Sequence, residues 1–224
     1  PMMHVFPHWT WPGMEGKAID VWCYSNCDSV ELFLNGRSQG FSKMDPPPAP
    51  WRFDEDVVLP PSEIKSRRQH FSWLIKYEPG TLKAVGMRDG KVVSTKEIHT
   101  AGEPAKIELT KVMTDYVPED QIPPLLADDQ DIVVVKAAIL DKNGNLVPNA
   151  QNFVTFSVKG DEKIIGVGNG DNSSHEKNKG DSRRAFNGLC AVIVQATKTA
   201  NSFEVTAESQ GLKSGTIHLS STTP

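Results

Sequence analysis

The feature that most constrains the fold of this chain is an alternation of apolar and polar residues that recurs along most of its length. Within residues 17–24, for example, Ile19 and Val21 alternate with positions suited to the opposite face, which is the period of a strand with one buried side. Asn-Gly at 35–36 and Asp-Gly at 89–90 follow such runs. Both pairs favour tight hairpins, because the central residues of a type I′ turn need positive φ.

The predicted strands form two sets, separated by a Gly- and Pro-containing segment at residues 101–104. We therefore predict an all-β chain made of two consecutive immunoglobulin-like β-sandwich domains, at residues 1–101 and 102–224. No convincing helix is predicted; the best candidate is 62–69, and the tail at 220–224 is expected to be frayed. The predicted strands cover residues 17–24, 30–34, 37–42, 51–59, 71–77, 81–87, 91–100, 105–111, 131–140, 153–158, 164–167, 189–195, 202–209 and 214–219.

Composition excludes several classes of partner. The net charge of the 224 residues is −4 and no basic stripe is present, so we expect no nucleic-acid partner and no attraction to anionic lipid. The sequence lacks a run of about 20 apolar residues, so no membrane span is predicted. It also lacks a signal peptide and begins with Pro1, from which we expect a piece of a longer polypeptide.

No metal or cofactor is predicted. Cys23, Cys27 and Cys190 have no Cys or His cluster that would complete a metal site. We interpret them as structural thiols, with a local Cys23–Cys27 disulfide as the alternative. The glycines at 166, 168 and 170 resemble half of a dinucleotide fingerprint, but no helix follows and their spacing is wrong for the full motif.

A long polar segment, residues 169–187, joins two predicted strands and admits two interpretations. It is either a self-packed loop, in which Arg183 and Arg184 pair with nearby carboxylates, or a surface that contacts a ligand or another domain. The candidate contact residues in it are Asn169, Asp171, His175, Glu176 and Arg184.

No catalytic residue is predicted. A glycosidase needs two carboxylates held rigidly across the bond that breaks, and Asp171 and Glu176 share one flexible loop. The acidic residues at 128–131 precede a strand, where charged side chains usually form a solvated edge. No G-x-S-x-G elbow is present for a nucleophilic triad.

The aromatic opening of the chain provides a further set of candidates: His8, Trp9 and Trp11. Such rings stack on sugars, which would make this segment a carbohydrate-contacting lip. Alternatively they anchor the leading segment to its own sandwich or to a preceding domain, because a terminal segment needs apolar anchors to be ordered.

Eight short motifs are spread over nearly the whole chain. They are residues 8–13, 19–26, 30–36, 77–84, 141–148, 166–171, 185–189 and 211–212. Together these motifs resemble the modules that follow the catalytic barrel in bacterial enzymes of glycoside hydrolase family 2. Residues 45–68 depart from the resemblance, because they are longer, more Pro-rich and more basic than it leads us to expect.

The resemblance implies an accessory region rather than a catalytic one. Enzymes of that family include β-galactosidases, β-glucuronidases and β-mannosidases, and their catalytic glutamates lie on the upstream barrel, to which no position here corresponds. The implied partners are that barrel, in the same polypeptide, and further copies of the enzyme. The implied location is periplasmic or extracellular in a bacterium. A carbohydrate-binding module, contacting glycan through Trp9, Trp11 and residues 169–176, is the alternative function.

Overall fold

The computed structural model describes residues 1–43, 70–112 and 123–224. Contacts divide the chain into two compact units, Pro1–Thr100 and Ala101–Pro224. The predicted strand at 51–59, the candidate helix at 62–69 and the unusual segment 45–68 all lie outside the described residues. Each unit is built from strands, which confirms the predicted all-β class and its immunoglobulin-like sandwich domains.

In the described part of the first unit, the strands form two antiparallel sheets with the orders β1-β2-β5 and β4-β3-β6-β7. Two sheets of this kind can close a sandwich around one apolar core. The strands are β1 (Met3–Phe6), β2 (Ala18–Ser25), β3 (Ser29–Leu34), β4 (Arg37–Lys43), β5 (Phe71–Lys76), β6 (Thr81–Arg88) and β7 (Lys91–His99).

Both predicted hairpin turns are confirmed. Asn35 and Gly36 have φ values of 51° and 78° between β3 and β4, and Asp89 and Gly90 have 50° and 73° between β6 and β7. Positive φ at both central positions is the type I′ geometry whose twist matches that of the paired strands. The turns therefore set the pairing of their two hairpins, as the sequence predicts.

The core of the first unit follows the predicted alternation. On β2 the side chains of Ile19, Val21 and Cys23 are buried, whereas Asp20 between them is exposed. The inward side chains of β3, β5 and β6 complete the core together with Trp9, which lies in the connection between β1 and β2. A strand that buries only alternate residues leaves its other face available for contacts.

In the described part of the second unit, the sheet orders are β12-β14-β10-β8 and β13-β11-β15-β16-β9. The pairings are antiparallel except that of β16 with β9, which is parallel. The strands are β8 (Lys106–Lys111), β9 (Leu125–Leu126), β10 (Ile132–Leu140), β11 (Phe153–Lys159), β12 (Lys163–Gly168), β13 (Ser182–Arg184), β14 (Leu189–Gln195), β15 (Ser202–Glu208) and β16 (Gly215–Thr222).

The core of the second unit is rich in β-branched residues. Val135 on β10, Val154 on β11, Val192 on β14 and Val205 on β15 have no exposed surface, and Phe156 fills the space among them. Stiff, branched side chains pack well on a pleated surface, which is why these positions favour strands.

The structure differs from the sequence prediction at four places. Strands β1, β9 and β13 are not predicted, because each is short and takes its pairing from a distant partner. The tail was expected to be frayed from residue 220, but β16 continues to Thr222 since Ser221 and Thr222 pair with β9. Long-range pairing overrides local propensity in all four cases.

The three cysteines lie in the cores of the two units. Cys23, Cys27 and Cys190 are all free and buried, so the alternative Cys23–Cys27 disulfide is not formed. Burial raises the pKa of the Cys23 and Cys190 thiols to about 12 each, which keeps both protonated at neutral pH.

Within the described residues, no helix is long and apolar enough to cross a membrane.

Candidate functional site

The segment 169–187 of the second unit is organised around one buried arginine. Arg183, on β13, is only 4% exposed, although its neighbours Ser182 and Arg184 face outward. The alternation of a strand explains this, because β13 pairs with β11 and turns its central side chain inward. A buried guanidinium is stable only when its N–H groups find acceptors.

The two Nη groups of Arg183 find acceptors within the segment, whereas its Nε makes no hydrogen bond among the described residues. Its Nη1 donates to the main-chain oxygen of Glu176 at 3.0 Å and to Asn178 Oδ1 at 3.1 Å, and its Nη2 donates to Asn169 Oδ1 at 3.0 Å. Its Nε lies 3.6 Å from Glu176 Oε2. The Arg183 side chain therefore connects three residues of the segment, Asn169, Glu176 and Asn178.

Glu176 joins both neighbouring arginines. Its Oε2 accepts the main-chain N–H of Arg184 at 3.1 Å, and its Oε1 lies 3.7 Å from Arg184 Nε. The carboxylate is thus shared among Arg183, the Arg184 main chain and the Arg184 side chain. A carboxylate held in this way stabilises the loop and is poorly placed to accept a proton from a substrate.

Asn169 and Asp171 form local turns. Asn169 Oδ1 accepts the N–H of Asp171 at 3.0 Å, while its Nδ2 donates to the main-chain oxygen of Arg184 at 2.9 Å. Asp171 Oδ1 accepts both the hydroxyl and the N–H of Ser173, at 2.7 and 2.9 Å. The hydrogen bond from the Ser173 hydroxyl lowers the pKa of Asp171 most, and the bond from the Ser173 N–H lowers it further. The nearby charge of Arg183 acts in the same direction.

The remaining candidates of this segment lie on its surface. His175 is exposed. Arg184 is exposed as well, and its Nη1 donates to the main-chain oxygen of Gln151 at 3.1 Å. The structure therefore brings Asn169, Asp171, Glu176 and Arg184 into one network, with His175 projecting from the same loop.

The N-terminal aromatic candidates lie in the first unit and occupy different environments. Trp9 has no exposed surface; its Nε1 donates to the main-chain oxygen of Glu78 at 3.0 Å, and its ring packs edge-on against Tyr77. A glycan therefore has no access to the Trp9 ring in this fold. Its contacts are those of an anchor for the leading segment.

His8 and Trp11 are half-buried and stack on each other, with ring centroids 4.3 Å apart. Trp11 Nε1 donates to the main-chain oxygen of His8 at 2.8 Å, and the main-chain N–H of Trp11 donates to the Tyr77 hydroxyl at 3.1 Å. Burial lowers the pKa of His8, so this ring is neutral at neutral pH. The pair retains some exposed surface.

The acidic residues at 128–131 also have structural partners. Asp128 Oδ1 accepts the N–H groups of Gln130 and Asp131, and the two Asp131 oxygens accept the N–H groups of Leu126 and Ile132. These bonds shape the turn before β10. Among the described residues, no group of three or more His, Cys, Asp or Glu side chains is arranged to hold a metal ion.

Sequence reasoning missed one cluster of aromatic residues and one further exposed aromatic residue. On the outer face of β1, β2 and β5, Trp22 stacks on His70 with centroids 4.3 Å apart, and Phe6 stacks on Tyr24 at 5.4 Å. On the outer face of β11, Phe153 is 50% exposed. The alternation along the predicted strands is the signal that could have found Trp22 and Phe153, although ring contacts between strands depend on pairings that the sequence does not reveal.

The architecture and the loop can be compared with known proteins. Residues 121–218 match the model of the glycoside hydrolase family 2 C-terminal domain 5, and residues 16–94 match a domain of unknown function (DUF4982). A β-galactosidase of Bacteroides ovatus is 40% identical over 221 residues, which are 98% of this chain and 22% of that protein. The chain belongs to the C-terminal modules of glycoside hydrolase family 2.

Further relatives and solved structures are similar to the same chain over most of its length. A putative β-glucuronidase of Formosa agariphila is 34% identical over 198 residues, covering 88% of this chain and 16% of that protein. The crystal structure of a β-glycosidase from Bacteroides vulgatus superposes with a TM-score of 0.80 at 29% identity, covering 98% of this chain and 24% of the other. A family 2 member from Bacteroides cellulosilyticus has a TM-score of 0.75 at 31% identity, covering 96% and 24%.

The chain thus spans about a fifth of the length of these two curated relatives, the β-galactosidase and the putative β-glucuronidase. The matched part is the C-terminal region of bacterial glycosidases, as the resemblance of the sequence motifs predicts. This agreement confirms the family and the type of module.

Proposed function

We propose that this chain is a non-catalytic C-terminal region of a family 2 glycoside hydrolase of the β-galactosidase type. Its role is to brace the catalytic barrel of the same polypeptide and to shape the rim of the active site or contacts between copies of the enzyme. The relatives support the enzyme class, since a β-galactosidase and a putative β-glucuronidase match the chain over most of its length.

The observation that carries the proposal is the state of the two carboxylates that sequence analysis weighed as a catalytic pair. Glu176 is shared by two arginines, and Asp171 is bonded by Ser173. General acid catalysis by a carboxyl group requires a raised pKa, whereas the pKa of Asp171 is lowered. Both side chains therefore stabilise the loop instead of flanking a substrate.

The first experiment asks whether the chain hydrolyses a glycoside. Purified chain is incubated with p-nitrophenyl β-galactoside and p-nitrophenyl β-glucuronide, and release of nitrophenol is followed. We expect no turnover above buffer. Turnover that co-purifies with the chain and disappears in Glu176→Gln would overturn the non-catalytic assignment, and Glu108→Gln, at an exposed position on β8, is the matched control.

The second experiment tests the bracing role in the complete polypeptide that carries this chain. Deletion of residues 101–224 is expected to shorten the half-life of activity at elevated temperature, or to change the oligomeric mass measured by light scattering. KM for a small chromogenic substrate is expected to change less than the half-life, since bracing acts on stability. Unchanged half-life and unchanged mass would contradict this role.

The bacterial relatives also support a proposal on location. We place the parent enzyme in the periplasm or outside the cell of a bacterium, where a glycosidase meets polymeric substrates. Fractionation of cells that express the complete gene, with immunodetection of this chain, tests the assignment. Recovery in the cytoplasmic fraction alone would reject it.

A further inference from the structure

The outer face of the second unit's β13-β11-β15 ladder carries a polar groove around one exposed aromatic ring. Phe153 and Thr155 point outward from β11, and their direct cross-strand neighbours are Arg184 on β13 and Glu208 on β15. Side chains that oppose each other across a ladder lie within contact distance. Four different chemical groups therefore meet on one face of three adjacent strands.

The groove has a volume of about 790 Å³, within the range of about 300–1,000 Å³ that is usual for small-molecule sites. Phe153 and Thr155 line it between Arg184 on one side and Glu208 on the other, and the turn before β16 closes its rim. The complete lining consists of Gln151, Asn152, Phe153, Thr155, Arg184, Glu208, Ser209, Gln210, Leu212 and Ser214.

The aromatic ring contacts the Arg184 side chain and is also open to solvent. The Arg184 guanidinium lies 5.9 Å from the centroid of the Phe153 ring, a cation–π contact that favours this arrangement of the two side chains. Phe153 nevertheless exposes 50% of its surface. Arg184 donates one N–H to the Gln151 main chain and its Nε lies 3.7 Å from Glu176, but its side chain is 55% exposed, so part of its fork is open to solvent.

The composition of the groove decides what it can bind. A protein partner buries about 800 Å² per side around an aromatic-rich apolar centre, and here Phe153 and Leu212 are the large apolar residues of the lining. A pyranose ring has the opposite design: weakly positive C–H edges on its face, attracted by the negative face of an aromatic ring, and hydroxyls around its rim. Arginine, carboxylate, amide and hydroxyl side chains match those hydroxyls.

We propose that this groove binds a saccharide, with Phe153 as the stacking ring and Thr155, Arg184 and Glu208 as hydrogen-bonding partners of the sugar hydroxyls. The site includes neither Trp9 and Trp11 of the first unit nor residues 169–176 of the second, and it goes beyond the bracing function. It would let the module hold a glycan chain without acting on it.

The experiment is a titration of the ¹⁵N-labelled chain with lactose, cellotriose and sodium glucuronate, followed by the amide resonances. We expect at least one probe to cause saturable shifts centred on residues 153–155 and 208–210. Phe153→Ala should weaken that binding at least tenfold. Thr155→Arg, which fills the groove from an exposed position, should abolish it, while Phe41→Ala, at a 48% exposed ring of the first unit, leaves it unchanged.

Four results would overturn the proposal. The first is the absence of saturable shifts with every probe, and the second is a set of shifts centred elsewhere on the chain. The third is binding by Phe153→Ala that equals binding by the unmodified chain. Shifts of the groove resonances that depend on protein concentration without sugar would assign the face to self-association and would overturn it as well.

Discussion

Arg183 binds Glu176 twice: its Nη1 donates to the Glu176 main-chain oxygen at 3.0 Å, and its Nε lies 3.6 Å from the Glu176 carboxylate. The guanidinium is 4% exposed, whereas the carboxylate retains 32% of its surface. The pair therefore links a buried strand position to the solvent side of the loop. This linkage gives a long, glycine-rich segment a defined conformation.

Removal of the buried partner should be costly. Arg183→Ala removes one donor each from the Glu176 main-chain oxygen, Asn178 Oδ1 and Asn169 Oδ1, and we expect a loss of about 3 kcal/mol in the free energy of unfolding of the second unit. Urea denaturation read from amide resonances of that unit measures it. Arg184→Ala is the matched control and should cost less than about 1 kcal/mol, because that pair is exposed. Equal losses from the two variants would contradict the central role of Arg183.

A second buried charge, Asp141, predicts a pH dependence. Asp141 is 1% exposed and accepts the N–H groups of Gly102, Asn143 and Asn145, together with the Asn145 side chain. Burial opposes ionisation, but the hydrogen bonds outweigh it and lower the pKa of Asp141 to about 2.

Because the folded pKa lies below the unfolded value of about 3.9, the stabilisation by Asp141 is fully present above that value and is lost as the pH falls through about 2. Asp141→Asn should therefore be less stable than the unmodified chain at pH 7, and the difference should shrink at pH 2. Urea midpoints at pH 7, 4 and 2 measure this. A difference that stays constant over that range, or one that Asp161→Asn reproduces, would refute the assignment.

Much of the fold could be predicted from the sequence because local signals and pairing agree. Asn35-Gly36 follows an apolar run of strand length, so the turn type and the hairpin follow together. Asn187-Gly188 has the same geometry, with φ values of 51° and 77°. This turn is closed by the bridge between Phe186 and Leu189, but the strands on either side of it, β13 and β14, lie in different sheets. The alternation of the sequence therefore gives no hairpin in which the turn could be predicted.

The site was less predictable than the fold. Arg183 and Arg184 are adjacent in the sequence, and nothing local indicates that the first is buried and the second exposed. Their environments are decided by the register Val154↔Arg183 and Phe153↔Arg184. The same register creates the exposed ring and cation of the groove. Tertiary pairing, unlike periodicity, assigns two similar side chains to different chemical roles.

Measurements of protein stability can test whether Trp9 anchors the leading segment, a role distinct from glycan binding. Trp9 is fully buried and makes a hydrogen bond to the Glu78 main chain, so Trp9→Ala should destabilise the first unit by about 3–5 kcal/mol. Trp9→Phe, which keeps an aromatic ring but loses the indole N–H, should cost less than Trp9→Ala. Thermal unfolding followed by tryptophan fluorescence and circular dichroism tests both. A Trp9→Ala variant as stable as the unmodified chain would show that the residue is no anchor.

Glu162 provides the opposite case, a buried charge without support. It is 6% exposed, and neither carboxylate oxygen has a hydrogen-bond partner among the described residues. A side chain added at Gly160 would collide with Glu162 and Phe203, which shows how closely the carboxylate is packed. Burying an ionised group without a partner costs free energy, because its hydration is lost and nothing replaces it.

Glu162→Gln removes this charge and nearly preserves the shape of the side chain. We therefore expect the free energy of unfolding of the second unit to rise by about 1–2 kcal/mol at pH 7, measured by urea denaturation. Glu108→Gln, at an exposed position on β8, should change it by less than about 0.5 kcal/mol. If Glu162→Gln is instead destabilising while Glu108→Gln is neutral, the carboxylate has a partner in solution, such as a bound water or cation, and its charge stabilises the fold.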